Sequence, residues 1–312
     1  VLHDAEGEAP LTELWAGIAG TDETCGQMVR SARRQLTNAS FSGEFESLCA
    51  LLKSLADMEL ATRDLTLSML RRSVAALLEH FRVYRTYVDG SRADEQDAAV
   101  LKQALDGARR TLGGEDHHAL EIAARWLGGI PPEQETEETL RLRRKAITRF
   151  QQLTSPLAAK SLEDTVFYRY LRLLSRNEVG SDPEAFSPSV ENFHRRMLDR
   201  VRLFPRSMLA TATHDHKRGE DSRARLAVLG EVPQLWAAAA KRWIEMPDGA
   251  ASQTSAPDRI DSYMLLQTLV GAWPHGLDAS DSVALGEFIK RVAAWQTKAL
   301  REAKRHSSWI AP

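Results

Sequence analysis

The 312-residue chain is poor in cysteine and has no marked excess of charge of either sign. Cys25 and Cys49 are its two cysteines, with no CxxC spacing between them, which favours a reducing compartment and argues against a disulfide framework or a zinc knuckle. The 41 basic and 43 acidic residues leave a formal net charge of −2, so no bulk positive field attracts nucleic acid or an anionic membrane. We therefore expect a cytoplasmic protein with no nucleic-acid or membrane partner.

Long hydrophobic runs and strand-like patterns are also scarce. No apolar run approaches the roughly 18 residues that a membrane-spanning helix needs, and no basic-then-apolar leader opens the sequence. Helical periodicity is widespread instead, and in residues 41–57 it places Phe45, Leu48, Leu52 and Leu55 on one face. We expect about a dozen helices, and the other clear patterns occupy residues 62–87, 98–112, 117–127 and 282–305.

Two segments depart from the helical pattern. Residues 247–257, PDGAASQTSAP, have the composition of a flexible surface loop. Residues 207–213 form the best strand candidate in the chain, and this apolar run ends at the pair His214-Asp215, where a burst of charged residues begins. A carboxylate at a strand end is a candidate for chemistry, while a polar turn is the structural alternative.

The segment 149–183 mixes aromatic and charged side chains more densely than an amphipathic helix requires. Phe167, Tyr168 and Tyr170 offer flat faces with polar tips, which suit stacking on sugar rings. The structural alternative puts Phe167 and Tyr170 in the core and pairs Lys160 with Glu163 or Asp164 along a helix. The seven tryptophans lie mostly in helical patterns, so packing is favoured for each of them.

Five blocks of sequence, in order along the chain, resemble the maltooligosyl trehalose synthases, a family of the α-amylase-like glycosidase clan. The resemblance spans most of the chain, although residues 20–140 match only as generic helix. The blocks are GEAPLTELW at 7–15, QQLTSPLAAKSLEDTVFYRYLRLLSRNEVGSDP at 151–183, ATATHDHKRGEDSRARLAVLGEVP at 210–233, LLQTLVGAWP at 265–274 and REAKRHSSW at 301–309.

This resemblance implies a mainly α fold: a multi-helix domain inserted in a (β/α)8 glycosidase barrel, with only one or a few short barrel strands present. Residues 1–20 would be a barrel-derived segment leading into the domain, and residues 21–205 the helical insertion. Residues 206–312 would return to the barrel through the strand that ends at His214-Asp215 and continue into C-terminal helices. Because the chain opens on Val rather than Met, we expect it to be a fragment of a longer polypeptide.

The resemblance also implies an activity, the intramolecular transglucosylation that converts the reducing-end α-1,4 linkage of a maltooligosaccharide to α,α-1,1. Asp215 would stabilise the oxocarbenium-like transition state, and His214 would contact sugar hydroxyls. The nucleophilic Asp and the acid/base Glu of the family lie upstream of residue 1, so the isolated chain should be inactive. His216 stands where the family has threonine in HDTKR, which affects the fine geometry of the site.

Further site residues and partners follow from the same resemblance. No metal or organic cofactor is implied, and the partners are the maltooligosaccharide substrate, the remainder of the parent polypeptide and, in the pathway, a trehalose-releasing hydrolase. The candidates for the acceptor side, where the released glucose turns over, are Lys160, Glu163, Asp164, Tyr168, Lys217 and Arg218.

Two alternatives stay open at this stage. The chain could be a non-catalytic helical interaction module. It could also be a helical metal phosphohydrolase in which His214 and Asp215 bind metal together with His117, His118 or His216. Such a site needs the His-Asp pair on a helix, and here the pair follows a strand-like run.

Overall fold

The computed structural model describes residues 3–90, 93–130, 136–246 and 257–310. Its regular structure is helical throughout these ranges, so the expectation of a mainly α fold is confirmed. The helices of the described residues are α1 Glu8–Ala19, α2 Cys25–Asn38, α3 Ser42–Asp57, α4 Leu67–His80, α5 Glu95–Thr111, α6 His117–Leu127, α7 Glu137–Ala158, α8 Val190–Leu203, α9 Glu220–Ala227, α10 Pro233–Ile244, α11 Arg259–Ala272 and α12 Ser282–Ala303.

The periodic segments form helices close to their predicted bounds. In α3 the predicted face, from Phe45 to Leu55, is buried. The pattern at 62–87 gives a shorter helix, because the Thr66 hydroxyl accepts the Met69 N–H at 3.2 Å and starts α4 there. The other end of α4 is held by Arg33, which donates to the carbonyls of Leu78 and Glu79 at 3.3 Å, in the last turn where helix carbonyls lack their regular i+4 partners.

The prediction of a strand at residues 207–213 is wrong for this structure. The segment is irregular, and Met208 is 96 % exposed. A strand is held by hydrogen bonds to a neighbouring strand, and no strand is formed elsewhere in the described residues. The predicted loop at 247–257 cannot be compared, since residues 247–256 lie outside the described ranges.

The chain divides into two compact units. Unit 1 comprises Val1–Gly26 and Glu163–Pro312, and unit 2 comprises Gln27–Leu162. The predicted boundaries at 20/21 and 205/206 refer to where the chain would leave and rejoin a barrel, and they stay a prediction.

Unit 2 is a helical bundle with one continuous apolar core. Its helix α3 packs on α7 and α4, and α4 also packs on α5 and α6. Leu48, Cys49 and Leu52 are fully buried in this core, and the rings of Phe81 and Phe150 meet edge to face at 5.1 Å. None of the helices in the described residues combines the length and apolarity that crossing a membrane requires.

Unit 1 packs several of its helices around buried aromatic residues. Trp15 of α1 stacks on Tyr263 of α11 at 6.2 Å and meets Tyr170 edge to face at 6.0 Å. Trp236 of α10 donates its ring N–H to the Tyr263 hydroxyl at 3.1 Å. These contacts bring α1, α10, α11 and the segment around Tyr170 into one core, which supports the site described next.

Candidate functional site

The backbone between Glu163 and Glu178 is a series of short turns. It follows a π turn at Ala159–Glu163, a geometry that is frequent at functional sites, and continues through 3-10 turns at Val166–Tyr168 and Leu174–Arg176. The buried Asn177 side chain fastens this series, because its amide donates to the carbonyls of Phe167 at 2.9 Å and Tyr170 at 2.6 Å. The turns at residues 166–170 are thereby fixed within the core of unit 1.

Asp164 and Lys217 form an ion pair across this part of unit 1. The Lys217 ammonium donates to Asp164 Oδ1 at 2.9 Å, with 12 % and 23 % of the two side chains exposed. Burial lowers the pKa of Lys217, but the hydrogen bond that its ammonium donates to Asp164 and the field of Tyr168, Asp164 and Glu163 outweigh this effect, so that the net pKa is raised. Two of the predicted acceptor-side residues, 53 positions apart, are therefore direct partners.

Glu178 holds the backbone that follows the His-Asp pair. Its Oε2 accepts the backbone N–H of Lys217 at 2.7 Å, and Arg218 Nη1 lies 3.6 Å from its Oε1. Only 5 % of the Glu178 side chain and 8 % of the Arg218 side chain are exposed. Burial raises the pKa of Glu178 and lowers the pKa of Arg218, so desolvation is the dominant influence on both charges.

Tyr168 and Glu163 lie near the ion pair of Asp164 and Lys217. Both residues are buried, and burial raises the pKa of Tyr168 while the charges of Lys217 and Arg218 act in the opposite direction. Glu163 contributes to the field that raises the pKa of Lys217. The structure thus brings five of the six predicted acceptor-side residues into one neighbourhood. The sixth, Lys160, belongs to unit 2.

His214 and Asp215 occupy an exposed turn at residues 213–216. The His216 N–H donates to the Thr213 carbonyl at 3.2 Å, and His216 Nδ1 accepts the Thr213 N–H at 2.8 Å. Within the described residues, neither His214 nor Asp215 makes a side-chain hydrogen bond or an ion pair. His216, which replaces the family threonine, thus closes the turn through its own ring.

The sequence blocks that carry the resemblance meet in unit 1. Gln267 of the fourth block accepts the Leu174 N–H at 2.8 Å and donates to the Leu171 carbonyl at 2.7 Å. Lys304 of the fifth block donates to Thr165 Oγ1 at 2.9 Å and to the Asp164 carbonyl at 3.2 Å. Arg172 reaches Glu8 of the first block at 3.2 Å. Residues that are distant in sequence therefore support the turns around Asp164.

One group of potential metal ligands occurs among the described residues: Asp258, Asp261 and His306, whose ligand atoms lie within 4.8 Å of one another. Arg305 already occupies this position, because its guanidinium pairs with Asp258 and lies 3.0 Å from Asp261 Oδ1. Burial acts to raise the pKa of Asp258, but hydrogen bonds from Arg305, the Asp261 N–H and His306 lower it to about 2. The group does not include His214 or Asp215, so the metal phosphohydrolase interpretation gains no support from it.

Several supporting residues were missed by the sequence interpretation. Glu178 and Asn177 lie inside the second block, but no local pattern marks them as the groups that fix residues 167–170 and 217. Gln267 is a polar residue of α11, and Lys304 directly follows α12. The periodicity of these helices predicts which faces pack against the core, not which polar side chains bind other segments. Their roles depend on contacts between segments that are 93 and 139 residues apart, which spacing alone does not reveal.

The whole chain is similar in sequence to known proteins. No family model matches it. A curated Mycobacterium tuberculosis protein with the provisional name maltooligosyl trehalose synthase is 34% identical over 312 residues, which is 100% of this chain and 36% of that protein. The chain is homologous to one part of the maltooligosyl trehalose synthases. The resemblance inferred from the five blocks is thereby confirmed, and it extends over the generic helical region as well.

Solved structures of maltooligosyl trehalose synthases agree with this relationship. The maltooligosyltrehalose synthase of Arthrobacter ramosus superposes with a TM-score of 0.77 at 27% identity, covering 100% of this chain and 35% of that one. A Sulfolobus tokodaii protein described as a hypothetical maltooligosyl trehalose synthase gives a TM-score of 0.67 at 27% identity, covering 98% and 34%. The chain spans about a third of the length of the relatives it matches.

Proposed function

We propose that this chain is part of a maltooligosyl trehalose synthase, a (1→4)-α-D-glucan 1-α-D-glucosylmutase that acts on the reducing end of maltooligosaccharides in trehalose biosynthesis. The observation that carries the proposal is the match of the whole chain to proteins of that name. The convergence of the sequence blocks on the turns around Asp164 supports it. The complete reaction needs residues outside this chain, because the nucleophilic Asp and the acid/base Glu of the family lie in upstream motifs.

The role proposed for Asp215 is to stabilise positive charge on the reacting sugar. A carboxylate near the anomeric carbon lowers the energy of an oxocarbenium-like transition state, and hydrogen bonds to sugar hydroxyls strengthen as the ring distorts. His214 would supply one of those hydrogen bonds. The exposed position of the turn at 213–216 is compatible with this role, since the two side chains are not engaged by other described residues.

The neighbourhood of Asp164 is the proposed acceptor side. Asp164, Lys217 and Tyr168 combine a carboxylate, an ammonium and a phenol, which together can both donate to and accept from the hydroxyls of a glucose molecule. The ion pair and the contacts of Glu178 fix these groups before substrate arrives, which reduces the cost of ordering them. Holding glucose there while excluding water would favour return of the sugar to glucose rather than hydrolysis.

The insertion of this helical domain in a (β/α)8 barrel is also a proposal. It is supported by α8, in which no residue is buried, although Val190, Phe193 and Val201 fall on one helical face and are exposed. An apolar stripe of this kind marks a surface that is covered in the working protein. The remainder of the parent polypeptide, about two thirds of the length of the relatives, is the proposed cover, and residues 207–213 would gain strand partners from it.

The remaining proposals concern partners and location. The substrate is a maltooligosaccharide, the reaction as proposed uses no metal or organic cofactor, and a trehalose-releasing hydrolase would act on the product. We place the protein in the cytoplasm because both cysteines are unpaired, as expected of a reducing compartment.

The proposal is tested by measuring conversion of maltopentaose to its trehalose-ended isomer. The intact parent polypeptide should be active, and the 312-residue chain alone inactive. In the intact protein, Asp215→Asn should lower the turnover number by about 100-fold or more, as loss of one group that stabilises transition-state charge does. Asp57→Asn, at an exposed acid of unit 2, is the matched control and should leave turnover unchanged. An Asp215→Asn enzyme with undiminished turnover would refute the assignment.

A further inference from the structure

A cavity of about 460 Å³ lies in unit 1 between α9, α11 and α12. Arg218 lines it immediately before α9 begins, and Arg291 and Trp295 line it from α12. Leu226 and Phe288 add apolar surface, and Ser222 and Thr268 add hydroxyls. The cavity differs in charge from the surroundings of Asp164, because all of its charged lining residues are basic.

The guanidinium of Arg218, whose Nη1 lies 3.6 Å from Glu178 Oε1, keeps one donor without a partner among the described residues. Nη1 donates to the Leu174 carbonyl at 3.3 Å, and the central carbon lies 5.6 Å from the centre of the Trp295 ring. Nη2 is buried and has no hydrogen-bond partner among the described residues, although the side chain is only 8 % exposed. A buried guanidinium N–H without an acceptor is costly, so a small shift of this side chain toward an acceptor in the cavity would be favourable.

The lining favours a ligand that accepts hydrogen bonds. Arginine donates only, and the described lining residues include no aspartate or glutamate. Lys217 also lines the cavity, but its ammonium is engaged by Asp164. Gly219, the N-cap of α9, and Ser222 in the first turn of that helix also line the cavity. A neutral sugar needs acceptors for its hydroxyl protons, and these are scarce here.

We propose that this cavity binds an oxyanion attached to an organic body, of which a sugar phosphate is the fitting class. Arg218 and Arg291 bind the anionic group, and the aromatic and apolar residues of α9 and α12 contact the body. The volume exceeds that of a phosphate ion, which is why an organic body is part of the proposal. The site shares Arg218 with the predicted acceptor side, but anion binding does not depend on the proposed transglucosylation, because no step of that reaction uses an anion.

The test is titration of the 312-residue chain by isothermal calorimetry with glucose 6-phosphate, inorganic phosphate, glucuronate and glucose. Glucose 6-phosphate should bind with the highest affinity, and glucose should not bind. The phosphate and glucuronate arms separate a phosphate site from a carboxylate site, and binding of either anion over glucose supports the oxyanion assignment. Failure of all three anions to bind at millimolar concentration, or equal binding of glucose, would overturn it.

Three arginine variants locate the binding. Arg291→Gln changes an exposed residue of α12 and should weaken glucose 6-phosphate binding by roughly 10-fold, as expected for loss of a charged hydrogen bond. Arg218→Gln should weaken it at least as much. Arg301→Gln is the matched control: like Arg291 it is on α12, and like Arg218 it lies over a tryptophan, 5.1 Å from the Trp309 ring, but it does not line the cavity. Unchanged affinity in Arg291→Gln would contradict the proposal even if Arg218→Gln unfolded.

Discussion

The carboxylate of Glu178 connects two parts of the candidate site at the level of single residues. It accepts the N–H of Lys217, whose side chain pairs with Asp164, and it is the acidic group nearest to the buried charge of Arg218. A buried charge is tolerated only when another charge or several dipoles compensate for it. Glu178 therefore determines both where the backbone after Asp215 lies and whether Arg218 remains buried.

The substitution Glu178→Gln should destabilise the chain strongly. The amide keeps the acceptor for the Lys217 N–H but removes the charge opposite Arg218, and breaking a buried ion pair costs about 3 kcal/mol. Urea unfolding followed by circular dichroism measures this loss. Asp199→Asn is the control, because its pair with Arg202 at 3.8 Å is exposed and should contribute about 0.5 kcal/mol or less. Similar unfolding midpoints for the two variants would contradict the role given to Glu178.

At the scale of elements, helices were predictable because their signal is local. The apolar spacing of α3 and α6 matches the observed helices, since the side chains of one face enter the core of unit 2. The predicted bounds of α4 were less accurate. Thr66 caps its start, which is a local signal, but its end is held by Arg33, which is distant in sequence. Residues 207–213 have the composition of a strand but lack a partner within the described chain, and no local pattern reveals that.

The close approach of Gly7 to Gly230 gives a prediction for the start of α1. A Cβ at Gly7 would lie 2.2 Å from the Gly230 carbonyl oxygen, whereas a Cβ at Gly17 would meet nothing within 4 Å. Gly7→Ala should therefore lower the free energy of unfolding by about 1–3 kcal/mol through overpacking. Gly17→Ala, at an exposed position in the last turn of α1, should raise it by about 0.5 kcal/mol. The two variants, compared by urea unfolding, should shift the midpoint in opposite directions, and a shared direction would show that the contact is not rigid.

On the scale of the whole molecule, the two compact units each contain one buried cysteine. Cys25 is 3 % exposed in unit 1, and Cys49 is fully buried in the core of unit 2. Neither lies in a basic environment that would favour a thiolate, and burial raises the pKa of both thiols to about 12. The composition alone predicted unpaired cysteines, but their burial in different units depends on the fold.

These thiols should react only after the unit that contains each one has opened. The thiolate is the reactive species, and a pKa raised from 9.0 to about 12 lowers its population about 1000-fold near pH 8, in addition to the steric protection. In Cys25→Ser the remaining thiol reports on unit 2, and in Cys49→Ser it reports on unit 1. Labelling with a chromogenic disulfide at increasing urea should show no reaction in native buffer and one cooperative onset for each variant. Rapid labelling of either variant without urea would show that its unit does not enclose the cysteine as described, and coincident onsets would show that the two units unfold together.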